Sequence, residues 1–69
     1  MIEYAVLKKD GMWCLFQCGQ QIRVFSRRDA AANAARELAQ MILSPEVAVR
    51  LLVQTSTGEL QREPVASFH

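Results

Sequence analysis

The chain has 69 residues and a net charge of +1, from eight Lys and Arg against seven Asp and Glu, and 51% of its residues are hydrophobic. That length allows one domain, residues 1–69, which buries only about 60% of the surface of its unfolded chain. The near-neutral charge argues against a protein that works mainly on phosphates or an anionic membrane, and the apolar content exceeds what one small core hides, which points to a second buried surface.

Ile2 to Lys8 reads as a strand, with Tyr4, Val6 and Leu7 favouring pleated geometry. Lys9-Asp10-Gly11 is a turn, since Asp-Gly between apolar runs is a strong hairpin signal. Met12 to Gln17 follows as a second strand, ended by Cys18-Gly19-Gln20, and Ile22 to Phe25 as a third. Connections this short make the three an antiparallel meander. Ser26 then suits a helix N-cap, and Asp29 suits the positive end of the helix dipole. The helix is predicted from about Arg27 to Ile42, with Ala31, Ala34, Ala35, Leu38 and Ile42 as its buried stripe. Ser44-Pro45 stops it, because the residue before proline avoids helical geometry.

Val47 to Thr55 reads as the strongest strand. Ser56-Thr57-Gly58-Glu59 is a turn, and Leu60 to Glu63 is a polar edge strand stopped by Pro64. Residues from Val65 onward are expected to fray. The predicted fold is α+β, in the order β-β-β-α-β-β, with a mostly antiparallel sheet and one helix packed on one face. Its core candidates are Trp13, Leu15, Val24, Leu38, Ile42, Val49 and Leu51.

The residues hold no recognisable catalytic or metal-binding set. Two residues of one strand four positions apart lie about 13 Å from each other, beyond the roughly 7 Å a disulfide spans. Cys14 and Cys18 therefore read as separate buried or semi-buried thiols, which suit a reducing compartment. The acids are scattered, the only histidine is His69, and Gly11, Gly19 and Gly58 are turn residues, so no nucleophile–base pair, zinc site or phosphate loop is expected. Neither catalysis nor a cofactor is expected. Without a signal peptide or a membrane-length apolar run, the expected location is cytoplasmic.

Two surfaces stand out. Strand alternation turns Trp13 and Leu15 one way, and Met12, Cys14 and Phe16 the other. If the helix covers the first face, Met12, Cys14, Phe16 and Leu52 form an apolar surface on the second. Either a second copy of the chain or its own C-terminal tail with Phe68 covers that surface. The second feature is a basic cluster of Lys8, Arg23, Arg27 and Arg28, with Lys9 nearby, which would suit DNA phosphates or guanine edges. The favoured reading is a small non-enzymatic interaction module that forms a homodimer or higher oligomer. A DNA-binding module is the alternative.

The pattern of Tyr4, Asp10-Gly11, Trp13, Gly19, Val24-Phe25, the alanine-rich helix through Ala35 and Leu38-Ala39, and a final strand and Gly58 turn resembles a family of short, uncharacterised bacterial proteins. Members have a Trp-bearing N-terminal hairpin, an alanine-striped helix and a C-terminal hairpin. The resemblance spans Tyr4 to about Arg62 and departs at Met41 to Val47, where the connection is longer. It implies the fold and brings no site residues. The strand-strand-strand-helix part has a looser likeness to the arm-type DNA-binding domain of phage integrases.

Overall fold

The computed structural model describes residues 1–42 and 44–65; Phe68 and His69, which figure in the expectations above, lie outside them. Five strands and one helix follow one another as β1 (Ile2–Lys9), β2 (Met12–Gln17), β3 (Gln20–Phe25), α1 (Arg28–Ile42), β4 (Val49–Gln54) and β5 (Leu60–Glu63). The fold is α+β, with the helix on one face of a single sheet of order β3-β2-β1-β4-β5.

Three of the four strand pairings are antiparallel, and β1 with β4 is parallel. The two N-terminal hairpins owe their tightness to residues that tolerate positive φ. Asp10 and Gly11 have φ of 54° and 78°, and Cys18 and Gly19 have 50° and 84°. Two successive positive φ angles twist a two-residue turn in the sense of the flanking strands. Lys9 opposite Met12 and Gln17 opposite Gln20 close these turns.

The helix begins at Arg28, so Arg27 and not Ser26 stands at its start; Arg27 accepts the Ala31 amide through its carbonyl and pairs Asp29 through its guanidinium at 3.2 Å. Ala31, Ala32, Ala35 and Ala39 are its fully buried residues, with Ala34, Leu38 and Ile42 half-buried beside them. Short side chains let the helix lie close to the sheet. Val47 falls outside β4, because Ser44 to Val47 form a turn of their own, with the Val47 amide bonded to the Ser44 carbonyl.

The core lies between helix and sheet. Tyr4, Val6, Trp13, Leu15, Leu51 and Val53 supply the sheet side. Val24, expected in this core, is 46% exposed. It pairs with Cys14 and so faces away from the helix, while Phe25, opposite Trp13, takes the core-facing place. A register shift at Leu15 and Phe16 separates this part of β3 from its turn.

Two polar devices hold the margins. Arg36 binds both carboxylate oxygens of Glu63, at 2.8 and 3.0 Å, tying β5 to the helix. Arg28 donates to the Gln54 carbonyl at 2.8 Å, and the Gln54 side chain accepts from the Lys8 amide and donates to the Gly58 carbonyl. The helix start, the end of β1 and the β4–β5 turn thus meet at one glutamine.

Candidate functional site

The sheet face opposite the helix is built by the register. In one row, Phe16 of β2, Ala5 of β1 and Leu52 of β4 stand side by side. In the next, Val24 of β3, Cys14 of β2 and Leu7 of β1 do the same. Met12 follows along β2 opposite Lys9. The structure therefore brings Met12, Cys14, Phe16 and Leu52 onto one continuous surface, although Leu52 comes from the far side of the helix in sequence.

These four residues are not equally accessible. Met12 is 38% exposed, Phe16 and Leu52 are half-buried, and Cys14 is 4% exposed. Leu7 and Val24 stand beside it in the row, and Met12 and Phe16 lie two positions away on the same face of the strand. Cys14 is the floor of the face and not part of its contact surface. Ala5 contributes only a methyl group between Phe16 and Leu52, so the centre of that row is lower than its flanks. Cys18 sits in the turn after β2 and is exposed, unlike the buried or semi-buried thiol expected there.

Sequence reasoning missed Leu7, Val24 and Leu60 as members of this face. Leu60 is 52% exposed. Their shared face depends on the strand order and on the β2–β3 register shift, which no local pattern carries; Ile22, 40% exposed, is the unpaired residue at that shift. Charge is confined to the margins: Glu3 and Arg50, opposite each other on β1 and β4, form an ion pair, and Arg62 pairs with Leu52 across β4 and β5.

The basic residues lie on the other side, at the end of the sheet where the helix begins. Lys8 sits over the Trp13 ring at 5.9 Å and Arg23 over the Phe25 ring at 4.8 Å. Trp13 and Phe25 are themselves cross-strand partners. Arg27 is paired with Asp29, and Arg28 is held by the Gln54 carbonyl. Each of the four cations is engaged by a group of this chain, and they spread from edge strand β3 to the end of β4.

Among the described residues, no group of three or more His, Cys, Asp and Glu is placed to hold a metal ion, and no helix is long and apolar enough to cross a membrane. A groove of about 330 Å³ runs between α1 and the end of β5, lined by Arg36, Ala39, Gln40, Leu51, Pro64 and Val65. No protein-family model, curated protein or solved structure matches the chain.

Proposed function

We propose that this chain is a small, non-enzymatic interaction module that self-associates, the sheet face opposite the helix packing against that of a second copy. The observation that carries this reading is the pair of apolar rows, Phe16–Ala5–Leu52 and Val24–Cys14–Leu7, left uncovered among the described residues. Contiguous exposed apolar surface on a small soluble domain marks an interaction site. Fully burying a large apolar side chain contributes about 1.5–3 kcal/mol, and the still-exposed parts of Phe16, Leu52, Met12 and Val24 each supply a fraction of that toward the cost of association. A domain of this size has little stability to spare without such help. The low point at Ala5 suits the Phe16 ring of a second copy, and the Glu3–Arg50 pair and Arg62 form a polar rim around the apolar centre.

Light scattering on the purified chain tests this. A mass of two or more chains is expected at about 100 micromolar, a concentration at which mass action favours even a weak dimer. Phe16→Glu, which sets a carboxylate in the apolar row, is expected to lower that mass. A monomeric wild-type chain overturns the proposal. The DNA alternative has less support, because Arg27 and Arg28 already satisfy acceptors within the chain. It is removed if random duplex at low salt fails to bind at tens of micromolar, where phosphate contacts are strongest.

A further inference from the structure

The two edges of the sheet differ. β5 is four residues long, contains Arg62 and Glu63 and runs into Pro64. Brevity, charge and proline are the usual guards of a strand edge. β3 is six residues long, Gln20 to Phe25, and has no proline. Its one charge, Arg23, is drawn over the Phe25 ring at 4.8 Å. Ile22 and Val24 are both substantially exposed; Ile22 is the extra residue of the register shift against β2, so the regular part of this edge is residues 23–25.

We propose that β3 pairs antiparallel with β3 of a second copy, joining two five-stranded sheets into one of ten strands. The inference rests on the self-association reading and names a second contact within it. β4, the strongest strand by sequence, offers no edge, since it is interior, held between β1 and β5.

The register follows from charge. A two-fold axis through Arg23 sets two guanidiniums against each other, which is unfavourable. An axis through Val24 sets Val24 against its own copy and Arg23 against the partner's Phe25, so that no like charges meet and each ring gains a second cation. The paired segment is residues 23–25, since residues before it would lie opposite Ser26 and the start of α1. The axis stands perpendicular to the sheet, so both apolar faces end on the same side.

Area supports the same occupant. Five strands about 4.8 Å apart and about 20 Å long present roughly 500 Å², so stacking two copies face to face buries roughly 1,000 Å². That lies at the lower bound of stable interfaces, about 1,000 Å². A ten-stranded face doubles it. The edge contact and the face contact use perpendicular two-fold axes, and together they close a tetramer of four chains.

Amide hydrogen exchange on the full chain separates the contacts. Face packing offers the β3 edge no hydrogen-bond acceptors, whereas edge pairing protects alternate amides of β3. Those amides are expected to exchange at least about tenfold more slowly at high than at low protein concentration. The slowing should persist in Phe16→Glu and in Met12→Glu, which lies on the same face and is more exposed. If the wild-type chain is oligomeric by light scattering yet its β3 edge amides exchange at a concentration-independent rate, the edge pairing is wrong and the self-association reading stands. A monomeric wild-type chain overturns both.

Discussion

Tyr4 lies in the core at 2% exposure, between Gln17 of β2 and Leu51 of β4. Burial pushes its phenol above the ordinary value, and the electrostatic influence of Cys18 pushes it the same way. The unfolded chain releases this proton near pH 10, the folded chain only above that. The stability contributed by Tyr4 is therefore complete below about pH 10 and is lost as pH rises through the folded value. Tyr4 is the only tyrosine, so near-ultraviolet phenolate absorbance reads it alone. The native titration midpoint is expected above that of the urea-unfolded chain, and coincident midpoints would show an unshielded phenol. The turns make a matching point about single residues. Asp10-Gly11 announces its hairpin in sequence, while Cys18-Gly19 adopts the same geometry with a cysteine at positive φ, which composition alone does not suggest.

At the scale of elements, β5 depends on the clamp between Arg36 and Glu63. The hydrogen bonds that Arg36 donates to Glu63 hold its guanidinium further above its ordinary value. Both side chains are partly exposed, at 42% and 23%, so solvent weakens the pair and its loss costs roughly 0.5–1 kcal/mol. Glu63→Gln is expected to lower the unfolding free energy by that amount, read as a lower urea midpoint, and to speed exchange of β5 amides before those of β4; an unchanged midpoint would mean the pair contributes nothing. The elements themselves were legible because local chemistry writes them: Asp10-Gly11, Ser44-Pro45 and Pro64 mark boundaries, and the alanine spacing marks a helix. Faces were legible for β2 and β4, where Leu15 and Leu51 are core and Phe16 and Leu52 are not. Val24 was misread because its face depends on pairing with Cys14 across a register shift. Ala32 and Ala39 were missed because the width of a helix's buried stripe depends on how closely it approaches the sheet.

For the whole molecule, strand order was the part the sequence did not disclose, since periodicity tells which way a side chain turns and not which strand lies beside it. The parallel pairing of β1 with β4 has a consequence for how the chain reaches its native state. Glu3 and Arg50 meet across 47 residues, whereas β1, β2 and β3 join through two-residue turns. Closing a long loop costs chain entropy before any contact rewards it, so distant pairings form late and slow the search. The N-terminal meander is thus the natural nucleus, and docking of β4 the committing step that follows. Removing one methylene at matched depth separates the two. Leu15→Val in β2 and Leu51→Val in β4 each cost about 1 kcal/mol. The first is expected to slow refolding, and the second to speed unfolding while leaving refolding nearly unchanged. A chevron with the two effects exchanged would place the nucleus at the parallel pair instead. If the expected order holds, every newly made chain passes through a stage in which β1, the centre of the finished sheet, is still an open edge.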